Sequence, residues 1–317
     1  MNTPIDNPII IWRLLDGKPG HQNQTLGLIN ALKRRQSCQS YDIYVGKNDA
    51  LIPILSASWP LGSGLPLPDI IMGAGHRTHL HLLAAKRVYG GKTIVLMKPS
   101  LPASLFDLCF IPEHDNYQGY GNVVATKGVL NPLHYQGEHR ANQSVIMIGG
   151  PSRHHQWDGE QLLSQITTLL QQNTNINYIL TTSRRTPTEF TDALKQLSFD
   201  NLTNCLFADT SSDWVAEQLA MSSTAWITED SVSMIYEALT ARVGVGILSM
   251  PIKQENRVSR GVKKLLDNNF IVRFDKQRDN KNVLKPIAGF IEADRCADWM
   301  LTQWMEELPE AIEPVMA

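Results

Sequence analysis

Short apolar runs rich in Val, Ile and Leu alternate with helix-length stretches twice along this chain. That alternation admits few folds other than βαβ units built around parallel sheets. Strands are expected near Ile9–Leu15, Tyr41–Val45, Asp69–Met72, Thr93–Met97, Leu108–Pro112 and Asn122–Thr126, with helices over Gln22–Arg35 and His76–Tyr89. The stretch Gly128–Gln143 is polar, contains Pro132 and lacks periodicity, so it reads as a linker. The pattern then restarts with a strand at Ser144–Ile148. A helix over Gly159–Gln171, a strand at Asn177–Thr182, a helix over Pro187–Leu197 and a strand at Asn204–Phe207 follow. The series continues with a helix over Asp213–Ala220, a strand at Thr224–Thr228, a helix over Ser231–Thr240 and a strand at Val243–Leu248, and a terminal helix is expected over Ala293–Glu307. With 317 residues, the chain is long enough for two such halves, expected at residues 1–140 and 141–317.

Composition narrows the function classes. Hydrophobic residues make up 43% and charged residues 19%, a globular balance that argues against disorder. Lys and Arg number 29 against 31 Asp and Glu, a net charge of −2, so the chain lacks the basic field that binding nucleic acid demands. An anionic ligand must therefore be gripped locally. Cys38, Cys109, Cys205 and Cys296 lie far apart and form no zinc spacing, which fits reduced thiols and a cytoplasmic protein. Arg13 interrupts the first apolar run and no other run reaches spanning length, leaving attachment to the inner membrane surface as the only membrane role expected.

Ligands in doubly wound sheets sit outside the carboxyl ends of the strands, so the loops there carry the chemistry. The first strand runs into Asp16-Gly17-Lys18-Pro19-Gly20-His21, which is not a dinucleotide fingerprint. Asp16 and His21 are candidate general bases, with Gly17 and Gly20 allowing close backbone approach on an acceptor side; the alternative is a turn at Asp16-Gly17 with a cap at Gln22 or Asn23. Gly73-Ala74-Gly75-His76-Arg77-Thr78 lacks the third glycine of the fingerprint, and His76, His79 and His81 do not share a helix face, so no metal site is expected. Glu113 and His114 end another strand, either on the acceptor side or in a capped turn. The segment from Leu51 to Pro68, apolar and proline-rich, is either a lipid-facing loop or an ordinary packed one.

The second half is more specific. Thr186, Pro187 and Glu189 read as a capping box. Arg184 and Arg185 are left over and suit a diphosphate, the alternative being ordinary surface arginines. In Thr228–Leu239, Val232, Ile235 and Leu239 take one helix face and Asp230, Ser233 and Glu237 another. Hydroxyls and free N–H groups at the helix start suit a phosphate, and a carboxylate one turn deeper suits ribose hydroxyls. An exposed polar face with a Ser or Asp cap is the alternative.

At these residues the sequence resembles the elongated-mitochondria (mitochondrial fission) family, whose bacterial members are read as glycosyltransferases of the GT-B fold. The matching stretches are DGKPGHQNQTLGL at 16–28, GHRTHL at 75–80, FDLCFIPEHD at 106–115, IGGPSRHHQW at 148–157, TTSRRTP at 181–187 and TEDSVSMIYEAL at 228–239. The resemblance implies an α/β fold of two Rossmann-like domains facing across a cleft, nucleotide sugar on the C-terminal side, acceptor on the N-terminal side, and a terminal helix returning to the first domain. Ser233 and Glu237 resemble the helix-start hydroxyl and ribose-binding acid of GT-B transferases, and Gly149, Gly150, Arg184 and Arg185 their phosphate-side loops. Ser152, Arg153, Ser183, Asp230 and Ser231 are placed on the same donor side. Gly20-His21 resembles the Gly-His step of the peptidoglycan N-acetylglucosaminyltransferase, within a different loop.

The expectation is a glycosyltransferase that moves a sugar from a nucleotide-diphosphate sugar to an envelope glycan or glycolipid. It would use no metal and no other cofactor, with the arginines and helix start stabilising the leaving diphosphate and Asp16, ahead of His21, taking the acceptor proton. The other readings are a nucleotide-sugar epimerase or hydrolase on the same fold, and a non-catalytic scaffold.

Overall fold

Strand β1 (Ile9–Leu15) buries apolar side chains on both faces, Ile11 and Trp12 on opposite sides among them, as a strand inside a parallel sheet must. Its one charged residue, Arg13, is paired in register with Asp42 of β2 (Cys38–Tyr44) and forms an ion pair with it. The computed structural model describes residues 7–46, 58–115, 117, 121–135, 137–254, 257–277 and 284–304, and divides the chain into two units, Met1–Pro132 with Ile291–Ala317 and Leu133–Phe290.

The first unit is an all-parallel sheet in the order β2-β1-β3-β4-β5-β6, with β3 Ile70–Ala74, β4 Lys92–Leu96, β5 Leu108–Pro112 and β6 Val123–Thr126. Helix α1 (Pro19–Lys33) packs Leu28, Ile29 and Leu32 on one face of the sheet, and α2 (His76–Tyr89) packs Leu82 and Ala85 on the other. The chain moves outward from β1 to β2 and returns to β3 on the other side of β1. That reversal puts the topological switch point between β1 and β3.

The second unit repeats the plan with the order β12-β11-β10-β7-β8-β9 and its switch point between β7 and β10. Its strands are β7 Arg140–Met147, β8 Asn177–Thr181, β9 Leu202–Asn204, β10 Ser222–Thr228, β11 Gly244–Leu248 and β12 Val272–Arg273. The longer helices are α3 Gly159–Gln172, α4 Thr188–Lys195, α5 Trp214–Met221, α6 Val232–Thr240 and α7 Arg257–Asp267, and a single helical turn spans Phe274–Gln277. Ile146, Ile148, Leu162, Ile166 and Leu180 are among its fully buried core residues.

Helix α8 (Glu292–Trp299) belongs to the first unit, where Ala293, Cys296 and Ala297 join the core beside α1. Met300, fully buried just after it, contributes about 1.5–3 kcal/mol by burial alone. The division therefore falls at Pro132 rather than residue 140, because Arg140 already begins β7, and the terminal segment counts with the first unit.

Several expected boundaries shift for local reasons. Helix α1 starts at Pro19, a residue suited to the first helical turn, so neither Gln22 nor Asn23 caps it. The capping box does not form: α4 starts at Thr188 with Pro187 before it and no side-chain cap, and the Thr186 hydroxyl turns away to the Gly149 carbonyl at 2.5 Å. Strand β9 ends at Asn204, where the expected one began. In the proline-rich segment, residues 51–57 lie outside the described residues, while Trp59 is buried and stacks on Trp12 with ring centroids 5.8 Å apart. Residues 305–307 of the expected terminal helix also lie outside the described residues.

Candidate functional site

The carboxyl ends of β8, β9 and β10 open a pocket of about 610 Å³ in the second unit. One wall is the loop after β8, with Ser183, Arg184 and Arg185. A second is the segment after β9, with Phe207, Thr210, Ser211, Ser212 and Val215, and the third is the start of α6, with Ser231, Ser233 and Met234. The first intrahelical bond of α6 runs from the Ile235 N–H to the Ser231 carbonyl at 3.1 Å, so among the described residues the N–H groups of Val232, Ser233 and Met234 are free for a ligand. Arg184 is exposed and makes no hydrogen bond or ion pair among the described residues. An exposed cation, a positive helix end and hydroxyls thus meet an apolar shelf on which Phe207 is 45% exposed.

Arg185 is committed elsewhere. Its Nη2 donates to Asp230 Oδ2 at 2.7 Å and to Ser231 Oγ at 3.2 Å, and its Nη1 donates to the carbonyls of Gly150 and Pro151. The Gly150 N–H also donates to Asp230 Oδ2, at 3.1 Å. Gly149 is required because a Cβ there would collide with the Asp230 carboxylate and the Ser231 hydroxyl. Side chains of Asp230 and Ser231 thus approach Gly149, while the Arg185 backbone approaches Gly150.

Of the other donor-side candidates, Ser183 lines the pocket and anchors its loop by donating to the Gly149 carbonyl at 3.0 Å. Ser152 instead accepts the N–H groups of His154 and His155 in a tight turn, and exposed Arg153 is not among the pocket residues. Glu237 lies one turn beyond Ser233 on α6 and is not among the pocket residues; its half-buried side chain makes no hydrogen bond or ion pair among the described residues. Burial pushes its carboxyl up to about 7.

In the first unit the loops after β1 and β3 meet at the switch point. Asp16 Oδ1 accepts the Lys18 N–H at 3.1 Å, closing a turn that puts Gly17 in the left-handed region, and Asp16 Oδ2 lies 2.8 Å from His21 Nδ1. The imidazole rests against Gly75, at φ +87°, where any Cβ would collide with the ring. Gly20 sits in the first turn of α1 with open space beside it. Glu113 and His114 form a 3-10 turn after β5, three strands from β1 and so about 14 Å away across the sheet.

Two of the three histidines of α2, His79 and His81, are occupied with packing, while His76 is exposed. Trp59 Nε1 donates to His81 Nδ1 at 3.1 Å, and His79 Nδ1 contacts Ser100 Oγ at 3.0 Å. Burial, followed by the charges of His76 and His21, lowers His79 to about 4. Among the described residues no group of three or more His, Cys, Asp or Glu could hold a metal ion. Among them, too, no helix is long and apolar enough to cross a membrane.

The sequence reading missed the wall after β9. Its signal was present: Thr210-Ser211-Ser212 and Phe207 follow a strand end, the position where ligand contacts concentrate in such sheets.

The fold is that of GT-B glycosyltransferases and UDP-GlcNAc 2-epimerases. The glycotransferase of kitacinnamycin superposes with a TM-score of 0.53 at 11% identity, covering 93% of this chain and 99% of that one. The UDP-GlcNAc 2-epimerase from Neisseria meningitidis bound to UDP-GlcNAc gives 0.52 at 10% identity, with 92% and 98% covered. MnaA from S. aureus, in its structure with UDP, gives 0.52 at 14% identity, with 96% and 99% covered. No curated protein sequence matches this chain. The family model described as mitochondrial fission ELM1 matches residues 19–304, most of the chain, and the chain belongs to that family.

Proposed function

We propose that this protein is a glycosyltransferase that takes its sugar from a nucleotide-diphosphate sugar bound in the pocket of the second unit. The observation that carries the reading is the pocket's composition: Arg184, unpartnered among the described residues, the start of α6 with Ser233, and the Phe207 shelf share one cavity of about 610 Å³. The base stacks on Phe207, the diphosphate takes Arg184 and the free N–H groups of α6, and Glu237 accepts hydrogen bonds from ribose hydroxyls. Breaking the bond between the sugar and the diphosphate sends the electron pair to the phosphate oxygen, and these cationic and N–H groups stabilise that charge, so the reading needs no metal.

The first unit supplies the base in this reading. As the acceptor oxygen bonds to the anomeric carbon, His21 takes its proton through Nε2, the nitrogen that Asp16 does not hold. Asp16 positions the ring. This exchanges the roles expected from sequence, because both Asp16 oxygens are already engaged and its side chain is sealed from solvent. The acceptor class in this reading is an envelope glycan or glycolipid on the cytoplasmic side, with attachment to the inner membrane surface.

Uridine nucleotides are the first ligands to test, since two of the structural neighbours were solved with UDP or UDP-GlcNAc. Thermal unfolding in the presence of UDP, ADP, GDP and their sugar conjugates should show one nucleotide raising the transition temperature, because ligand binding to the folded state stabilises it. No shift with any of them would overturn the reading. Product analysis by NMR then separates the activities the fold admits: transfer to an added glycan or glycolipid supports this proposal, whereas a 2-epimer or free sugar replaces it with epimerisation or hydrolysis.

A further inference from the structure

Three donors at the switch point of the second unit converge on one oxygen, and that oxygen belongs to the protein. Asp230 Oδ2 accepts from Arg185 Nη2 at 2.7 Å, the Gly150 N–H at 3.1 Å and the Ser231 hydroxyl at 3.3 Å. A guanidinium, a glycine N–H and a hydroxyl at a helix start make up a phosphate-binding donor set, located where doubly wound sheets hold their ligands. The Asp230 side chain is 0% exposed, while Arg185 is 45% exposed and lines the pocket together with Ser231. Two of the three donors thus line the pocket, and the anion they hold is sealed from solvent.

We propose that Asp230 is an intramolecular stand-in for a ligand phosphate, a carboxylate plug that a diphosphate must displace to complete its own set of contacts. The inference rests on the reading of the pocket as a diphosphate site and goes beyond it by assigning Asp230 a role opposed to binding. The carboxylate is not fully satisfied where it sits. Its other oxygen, Oδ1, is buried without a hydrogen-bond partner among the described residues. His155, buried with both ring nitrogens unpartnered among the described residues, lies within electrostatic reach of Asp230. A free anion too weakly held to expel the plug is excluded, whereas a nucleotide anchored through its base and ribose brings the binding energy to do so. Apparent affinity is reduced by the fraction of molecules whose cradle is open, and removing the plug removes that reduction.

The test measures calorimetric binding of pyrophosphate and of UDP to the full-length wild type, Asp230→Asn and Asp230→Ala, each checked for native circular dichroism. The plug predicts that both variants bind pyrophosphate at least about tenfold more tightly than the wild type. Equal or weaker pyrophosphate binding in the folded variants overturns the plug, even if UDP binds all three and the nucleotide reading survives. Tighter pyrophosphate binding with no binding of any nucleotide keeps the plug and removes the nucleotide reading. Should neither variant fold, a structure of the wild type with UDP decides: the plug requires the Arg185–Asp230 hydrogen bond to be broken there, and an intact 2.7 Å contact beside a bound diphosphate overturns it.

Discussion

His21 Nδ1 lies 2.8 Å from Asp16 Oδ2, and the two side chains differ in access: the ring keeps 19% of its surface exposed while the carboxylate keeps none. A buried carboxylate fixing one nitrogen of a partly exposed imidazole leaves the other nitrogen as the working one. His21→Ala should lower turnover of a nucleotide sugar by about 10²–10⁴ with nucleotide affinity nearly unchanged. Asp16→Asn should also lower turnover, by holding the wrong tautomer. Normal turnover in His21→Ala would remove the assignment, and normal turnover in Asp16→Asn alone would remove the positioning role.

The two adjacent arginines should separate cleanly. Arg184 has no partner among the described residues, so Arg184→Ala should leave stability within about 0.5 kcal/mol while weakening UDP binding about 10–100-fold, the loss of a charge-assisted contact. Arg185→Ala strands the sealed Asp230 carboxylate and should lower unfolding free energy by about 1–3 kcal/mol in urea titration. Identical stabilities for the two variants would contradict the division of labour drawn here.

The sheets were legible because a strand covered on both faces must be apolar throughout, and runs such as Ile94–Leu96 and Val145–Ile148 have no other reading. What escaped the sequence depended on partners distant along the chain. Thr186, Pro187 and Glu189 satisfy a local capping rule, yet the Gly149 carbonyl, 37 residues away, wins the Thr186 hydroxyl. Gly149 and Gly150 do mark a close approach, but sequence could not say that Asp230 approaches one and the Arg185 backbone the other. Helix α7 was missed although Val258, Val262 and Leu265 carry a helical period, because its single glycine and dense Arg and Lys hide a short apolar stripe.

Helix α8 is held to α1 by charge as well as by packing. Arg34 and Arg35 share Asp294 Oδ1 at 2.9 and 2.6 Å, and Arg35 also pairs with Asp298. Burial alone would raise the Asp294 carboxyl, but the hydrogen bonds and charges of Arg35 and Arg34 overcome it and hold the group below its ordinary 3.8. A depressed carboxylate stabilises the fold above the unfolded value and loses that contribution as pH falls through the folded one. Asp294→Ala should therefore unfold more easily at pH 7 and show a shallower loss of stability on acidification below about 3.8 than the wild type. Parallel acid titrations of the two proteins would count against this role.

Glu237 has the opposite sign. Burial raises its carboxyl from 4.5 to about 7, and no cation among the described residues offsets that shift. Between these two values the unfolded chain has released a proton that the folded protein keeps, so the contribution of Glu237 to stability falls as pH rises from 4.5 and levels off above about 7. Glu237→Gln removes the titration and should match the wild type in urea unfolding at pH 4.5 while exceeding it at pH 8. If the side chain meets ribose hydroxyls, the same substitution should abolish the preference of the wild type for UDP over 2′-deoxy-UDP, since that preference measures the 2′-hydroxyl contact. A variant that gains stability at pH 8 but keeps the preference would leave Glu237 a buried acid of the fold and move the ribose to the hydroxyls of Thr210–Ser212.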